Sequence, residues 1–218
     1  MSVSADTRAW GLDANARFDT YRLYSDRTEL LVGVRYANLS ENLTYAVRSD
    51  FVGGGVITVR DAFRARNDLY VGQAGFESRW RLGRFTFDLL DKFGVGGASQ
   101  RIEIFGRNTL TGLPDQDSGL YTQPGISGVY QRDKFVATNE FGVALGFSPV
   151  PRVSVSVGYN ILWVSSVVRP GPAIDPVIND SGIRFVANPP ADPTSARPTF
   201  EYSRTLSLNA LPCFWNSC

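Results

Sequence analysis

The stretch that decides the fold is Val153-Ser-Val-Ser-Val-Gly-Tyr-Asn-Ile-Leu-Trp163. Its odd positions are apolar or aromatic, and its even positions are small or polar apart from Leu162. Because successive side chains of a β-strand point to opposite faces, this alternation predicts a strand with one oily and one polar face. At about 3.3 Å per residue and a tilt near 45°, the stretch rises roughly 23 Å. The apolar band of a membrane β-barrel is about 25 Å tall, so the stretch is long enough to cross one.

The same alternation recurs along the chain and predicts six strands: 10–19, 30–41, 70–80, 85–92, 135–147 and 153–163. A further strand begins within 205–215. Short connections are predicted at 21–28, 82–84 and 148–151, and long loops at 47–66, 107–133 and 168–200. Alternately short and long connections are typical of a barrel with periplasmic turns and extracellular loops.

The predicted fold is all-β: an antiparallel up-and-down transmembrane β-barrel forming a single outer-membrane domain over residues 1–218. Barrels of this kind use even strand numbers, so we expect about eight strands when the barrel is complete. The first residues contain no apolar segment of a signal peptide, and the last strand stops early at Cys218. We therefore expect an exported bacterial outer-membrane protein that lacks its signal peptide and upstream region here, and a barrel that is truncated or incompletely closed.

Composition argues against several classes of function. The chain has no histidine, which removes the commonest general base and the commonest metal ligand. Its net charge of +1 gives no indication of nucleic-acid binding. Cys213 and Cys218 lack further thiolate or imidazole partners for zinc, and Asp115-Gln-Asp117-Ser-Gly119 lacks the later carboxylate of a calcium loop. We predict no enzymatic activity, no metal and no cofactor.

Charged side chains on the polar faces of the strands are predicted to face the lumen. They form either a mutually paired lining or a selectivity or ligand site. These residues are Asp13, Arg17, Asp19, Arg35, Glu41, Glu77, Arg79, Asp88, Lys92 and Glu140. Arg35 and Glu41 share a face but lie about 20 Å apart along it, so each needs a partner on another strand. Candidates are Glu77, Asp13 and Arg17.

Aromatic residues near the strand ends are predicted to form two girdles around the apolar band. They are Trp10, Tyr70, Trp80, Phe85, Phe147 and Trp163. Asp91 is the exception on the oily face, since a carboxylate there is unfavourable. A β-bulge near Leu90, or the end of the apolar band at that height, would reduce the cost of placing the Asp91 carboxylate on this face.

The chain resembles the putative beta-barrel porin family 7, a group of bacterial outer-membrane proteins without an assigned transport role. The segments that carry the resemblance are Gly33-Val-Arg-Tyr-Ala-Asn-Leu-Ser-Glu41, Phe63-Arg-Ala-Arg-Asn67, Tyr70-Val-Gly-Gln-Ala-Gly-Phe76, Gly119-Leu-Tyr-Thr-Gln-Pro-Gly125, Asp133-Lys-Phe135 with Glu140, Gly158-Tyr-Asn160 and Val168-Arg-Pro-Gly-Pro-Ala-Ile-Asp175. They span about residues 10–180.

The resemblance implies a porin-like protein with outer-membrane lipid as its partner, acting as a passive channel or a membrane-embedded scaffold. Two alternatives stay open. One is a surface adhesion protein or structural anchor that displays long loops rich in proline, asparagine and aspartate. The other is a soluble ligand-binding β-barrel, although strands of soluble sheets usually run only about five or six residues. No solute, matrix partner or oligomeric state follows from the sequence.

Overall fold

Seven antiparallel strands form one sheet in the computed structural model, each paired with its neighbours in chain order. They are β1 (Ser2–Asp19), β2 (Arg27–Asp50), β3 (Val56–Leu82), β4 (Phe85–Leu110), β5 (Gly128–Val150), β6 (Val153–Val164) and β7 (Leu208–Ala210), with one 3-10 turn at Gly171–Ala173. The structure describes residues 1–20, 27–52, 54–122, 126–150 and 153–174, and the backbone of 208–210. No helix in this part of the chain is long and apolar enough to span a membrane. The predicted up-and-down antiparallel order is confirmed.

The strands are longer than predicted. β2, β3 and β4 contain 24, 27 and 26 residues. The predicted long loop at 47–66 is wrong, because β2 and β3 pair through most of it and only 51–55 connects them. The predicted loop at 107–133 shortens to 111–127 for the same reason. Of 168–200, only 168–174 are described, and Cys213 and Cys218 lie outside the described residues.

The sheet curls strongly into a half-barrel. Lys92 on β4 contacts Asp13 on β1 at 2.9 Å, although three strand spacings, about 14 Å along the sheet, separate them. Two glycines on the concave side allow this close packing. A Cβ on Gly33 would lie 2.0 Å from the carbonyl oxygen of Ala14, and one on Gly75 2.1 Å from that of Asp91. We call the concave side the inner face and the convex side the outer face.

The polarity of both faces reverses along the strands, at the level of Tyr36 and Tyr70. The proximal level lies between these residues and the short hairpins, and its outer face carries exposed apolar side chains such as Leu12, Val34 and Val157. At the distal level, beyond Tyr70, the outer face becomes polar and the inner face apolar. Exposed Arg64 and buried Phe63 are neighbours there on β3. The loop prediction at 47–66 failed because alternation continues through it with reversed polarity.

Asp91 lies on the outer face without any irregularity in the backbone. It pairs in continuous register with Phe76 on β3 and Phe141 on β5, so the predicted β-bulge near Leu90 is wrong. The pairing between β5 and β6 contains a register shift, between Phe147 and Val150. The Asp91 carboxylate instead accepts a hydrogen bond of 2.9 Å from the Asn139 side-chain amide. A local polar partner therefore offsets part of the cost of this carboxylate on an oily surface.

Candidate functional site

Four charged side chains meet on the proximal inner face, each from a different strand. Arg35 on β2 donates two hydrogen bonds to Asp13 on β1, of 2.5 and 2.6 Å, and a third to Glu140 on β5. Lys92 on β4 lies 2.9 Å from Asp13 and 2.7 Å from Glu140. The strand alternation brings these residues to one face, and the curl of the sheet closes the remaining distance. We call this group the charged cluster.

The charged cluster is internally neutral, and its two cations are nearly removed from solvent, whereas the side chains of Asp13 and Glu140 are 28% and 13% exposed. The side chains of Arg35 and Lys92 are 9% and 8% exposed. Asn160 on β6 donates a further hydrogen bond of 2.8 Å to Glu140. Two cations and two carboxylates satisfy one another, as buried charges require. The predicted pairing of Arg35 with Asp13 is present, whereas the contact with Glu140 was not anticipated.

The other predicted polar residues of the proximal level form separate ion pairs near the short hairpins. Arg17 contacts Glu29 at 2.9 Å and Glu77 at 3.0 Å. Arg79 contacts Asp88 at 2.5 Å. Asp19, whose side chain is 81% exposed, forms an ion pair of 3.8 Å with Arg27, which also contacts Glu29. Glu29, which the sequence did not single out, completes the group around Arg17.

Glu41 lies away from the charged cluster, at the distal level. Its partner comes from the segment after β6. The Arg169 guanidinium donates to both carboxylate oxygens over 2.7–3.1 Å. Glu41 is 5% exposed, and its carboxylate raises the pKa of Arg169 above its ordinary value. The sequence placed Glu41 on the correct strand face but could not supply this partner, which is 128 residues away.

Apolar side chains fill the distal inner face. One cluster consists of Leu39, Leu69, Val71, Ala98, Val136, Val164 and Val167, and the next of Phe63, Ala65, Ile102, Ile104, Ile126, Val168 and Ala173. Two non-strand segments contribute to this packing: residues 165–174, the β6 tail, and residues 118–122, the β4–β5 segment. The half-barrel is therefore packed rather than open at its distal level.

Buried side-chain amides fix the β6 tail against the strands. Asn67, which is fully buried, donates to the Val168 carbonyl at 2.9 Å and accepts from the Val168 N–H at 2.8 Å. Gln100 donates to the Ser166 carbonyl at 3.1 Å. Both amides satisfy backbone groups that strand pairing would otherwise satisfy. The tail is thus held against the strands through side chains.

Asp61 holds the β4–β5 segment against the strands in the same way, by hydrogen bonds from its side chain. Its fully buried carboxylate accepts backbone hydrogen bonds from Leu120 and Thr122 at 3.0 and 3.1 Å, and also binds the Thr122 hydroxyl. Gly119 is needed beside it, because a Cβ there would lie 1.7 Å from the Asp61 carboxylate. The sequence prediction missed Asp61 because 47–66 was assigned to a loop. An aspartate on an otherwise apolar alternating face was the signal available.

Aromatic residues line both ends of the apolar outer face. Near the hairpins the rings of Phe85 and Phe147 pack in a tilted arrangement with centroids 5.0 Å apart, and the Trp80 ring lies 5.4 Å from that of Phe87. At the distal boundary Tyr36, which the prediction omitted, lies 5.2 Å from both Trp10 and Tyr70. Trp163 is partly buried near the end of β6.

Asp68 marks the first polar position beyond this aromatic row. Burial acts to raise the pKa of Asp68, but hydrogen bonds from Arg66, Tyr36 and Asn38 outweigh burial and hold that pKa below its ordinary value. The Tyr36 hydroxyl donates to Asp68 at 2.7 Å and the Asn38 amide at 2.8 Å. The outer face therefore changes from aromatic to charged within two residues of Tyr70.

A cavity of about 470 Å³ adjoins the charged cluster on its distal side. Most of its walls are apolar, with Leu39, Val71 and Val167 among them. Its polar lining consists of Asp13, Arg35, Asn38, Thr138, Glu140 and Asn160. Space of this size with few polar groups is typical of small-molecule sites.

A family model described as Putative beta barrel porin-7 (BBP7) matches residues 1–208. Searches of curated proteins and of solved structures found no match.

Proposed function

Because the chain belongs to the Putative beta barrel porin-7 family, we propose that it is a bacterial outer-membrane protein. It serves as a membrane-embedded scaffold and carries a packed β-structure beyond the membrane surface. Its proximal level lies in the bilayer, with outer-membrane lipid against the outer face. The charged residues of the proximal inner face line the interior of the barrel. No enzymatic role is proposed.

The reversal of polarity at Tyr36 and Tyr70 is the observation that carries this proposal. A membrane-embedded sheet needs an apolar outer face, and a sheet in water needs a polar one. The outer face of the strands is apolar on the hairpin side of Tyr70, as a membrane requires, and polar beyond Tyr70, as water requires. A wholly soluble barrel would instead have to expose Leu12, Val34 and Phe135 to water, with side chains 69%, 62% and 74% exposed.

Strand length supports the same division. The outer face of β3 is apolar or aromatic from Tyr70 to Leu82 apart from Ser78, a span of roughly 28 Å along the membrane normal at a 45° tilt. The whole of β3, with 27 residues, rises roughly 60 Å. About half of this strand therefore extends past an apolar band of about 25 Å.

The packing of the interior favours a scaffold over an open pore. A water-filled pore needs a polar lumen along its whole length, whereas the distal inner face is apolar and is covered by the β6 tail. In the described residues of the proximal level, the cations and carboxylates neutralise one another. Within the part of the chain that the structure describes, neither level of the inner face offers a row of unpaired charges that would attract ions.

A passive channel is the second candidate. The cavity of about 470 Å³ beside the charged cluster favours it, because Asp13 and Glu140 could contact a solute there. A channel would require displacement of the β6 tail, which closes the cavity through Val167.

Two measurements on the full-length protein test the proposal. Flotation with lipid vesicles measures insertion, and planar-bilayer recording measures conductance. A scaffold is expected to float with the vesicles after carbonate extraction and to give no steady conductance. Steady ion conductance from correctly inserted protein would favour the channel, and recovery in the soluble fraction would overturn both candidates.

A further inference from the structure

Five arginines lie on the outer face of β3 and β4 beyond Tyr70. They are Arg60, Arg64, Arg66, Arg101 and Arg107, and all are exposed. The register places Arg60 directly opposite Arg107 and Arg66 directly opposite Arg101. Like charges directly opposite each other destabilise a sheet. Two such pairs on adjacent strands therefore need either local carboxylates or an external anion.

Local carboxylates neutralise the pair nearer the apolar band better than the more distant one. Arg66 lies 2.8 Å from Asp68, and Arg101 lies 2.7 Å from Glu103. In the distant pair Arg107 contacts Asp115 at 3.2 Å, but Arg60 has no ion pair with any described carboxylate. The residual positive charge is therefore concentrated around Arg60.

A depression of about 560 Å³ opens on the outer surface at this place. Arg60, Arg64 and Arg107 line it together with Phe105, Ser127 and a single carboxylate, Asp117. Guanidinium groups bind phosphate oxygens in bidentate geometry, and the Arg64 side chain is 61% exposed and 3.8 Å from Glu103, so it is free to turn towards an anion. Phe105, 45% exposed, offers an apolar surface to a sugar ring. The lining thus fits a phosphorylated saccharide.

The height of the arginines indicates which phosphorylated saccharide is available. Arg66 is four residues beyond Tyr70 and Arg60 is ten, which corresponds to roughly 9 and 23 Å above the aromatic row. The headgroup layer of a phospholipid bilayer is about 5–8 Å thick on each side, so Arg66 lies near its outer edge and only a lipid with an extended sugar headgroup reaches Arg60. We propose that this arginine surface binds the phosphorylated saccharide headgroup of an outer-leaflet glycolipid. The inference rests on the proposed membrane embedding.

The test uses full-length protein inserted in vesicles of zwitterionic phospholipid that contain either a rough lipopolysaccharide with a phosphorylated core oligosaccharide or its dephosphorylated form. Native mass spectrometry then counts the glycolipid retained by the protein. The double variant R60Q/R107Q removes the pair that carries residual charge. The control R8Q/R48Q removes two exposed arginines from the outer face of β1 and β2. Inorganic phosphate is added as a competitor in a parallel series.

We expect retention of the phosphorylated glycolipid only, with an apparent Kd raised about tenfold or more in R60Q/R107Q and unchanged in R8Q/R48Q. Equal retention of both glycolipids, or equal weakening in both double variants, would overturn the inference. Displacement by millimolar inorganic phosphate would also overturn it, since the site would then recognise phosphate without its sugar. Failure to insert into either vesicle would overturn the proposed function itself, together with the height argument that depends on it.

Discussion

Replacing Asn67 by alanine should release the β6 tail from the inner face. The Asn67 side chain makes both hydrogen bonds to Val168, of 2.9 and 2.8 Å, at a position where Val168 is only 2% exposed. Alanine leaves one backbone N–H and one carbonyl buried without partners, at about 1–3 kcal/mol each. The two groups together cost about 2–6 kcal/mol, and because the remaining tie between Arg169 and Glu41 limits the effect, we expect the docked tail to lose about 2–4 kcal/mol.

That loss predicts a change in hydrogen exchange. Each 1.4 kcal/mol is about a factor of ten in the population of the released tail, so amide exchange in 165–169 should accelerate about 30-fold to several hundred-fold. Hydrogen-exchange mass spectrometry of the vesicle-inserted protein measures it, with peptides from β3 and β4 as the internal reference. Gln100→Ala, which removes one bond of 3.1 Å to Ser166, should give a smaller acceleration.

Asn42→Ala is the matched control, because Asn42 is an exposed asparagine on the neighbouring strand. In the Asn42→Ala variant, amide hydrogen exchange in residues 165–169 should be as slow as in the unmodified protein. If Asn67→Ala also left the exchange of this segment unchanged while the reference peptides stayed protected, the side-chain bonds would not hold the tail. The reasoning that the interior is closed by a fixed segment would then be refuted.

Three further predictions concern other parts of the sheet. Arg35→Ala leaves the carboxylates of Asp13 and Glu140, which are 28% and 13% exposed, facing one ammonium group. The free energy of unfolding in urea should therefore fall by about 3 kcal/mol, the lower end of the range for a broken buried ion pair, and a fall below about 1 kcal/mol would contradict a tightly paired cluster. Replacing Asp91 and Asn139 together by leucine removes polar groups from the apolar outer face and should raise the unfolding midpoint in lipid vesicles; a lower midpoint would show that the polar pair stabilises the protein. Because hydrogen bonds hold the folded-state pKa of Asp68 below its ordinary value of 3.8, its contribution is present above that value and is lost as pH falls through the folded-state pKa. The Tm difference between the unmodified protein and Asp68→Asn should therefore be constant near neutral pH and shrink on acidification below about pH 3.8, and a difference independent of pH would exclude this carboxylate as its source.

The strands of the proximal level could be predicted from the sequence because one physical rule governs them. With lipid outside and polar groups inside, period-two alternation keeps one phase, as in Val153 to Trp163. The same rule put Arg35 and Asp13 on one face of adjacent strands. Contacts between strands that are not neighbours, such as that of Lys92 with Asp13, depend on the radius of curvature of the sheet. The alternation pattern does not determine this radius, so these contacts could not be predicted from it.

The strand segments of the distal level were not predicted, because the prediction assumed that the apolar side chains of a strand always face outward. Ile57, Val59, Phe63 and Ala65 alternate as regularly as any proximal strand, but their apolar phase faces inward. A search for an oily outer face therefore assigned them to a loop. The hydrogen bonds of Asp61 to Leu120 and Thr122 join segments about 60 residues apart. No local pattern records such a contact, although Asp61 within an apolar alternation indicated that a buried polar partner was required.

The change of the outer face at Tyr70 also determines how the protein responds to force. If the sheet moved inward by two residues, about 5 Å, Asp68 would enter hydrocarbon and Arg66 would follow at a cost that rises towards 2–4 kcal/mol at the midplane. Outward movement would expose Leu82 and Phe85 to water instead. In the proposed embedding, the position in the bilayer is therefore a free-energy minimum with a restoring force on both sides. A load applied to the distal strands would pass through their continuous backbone hydrogen bonds to the bilayer, while the height of the protein above the membrane stays fixed.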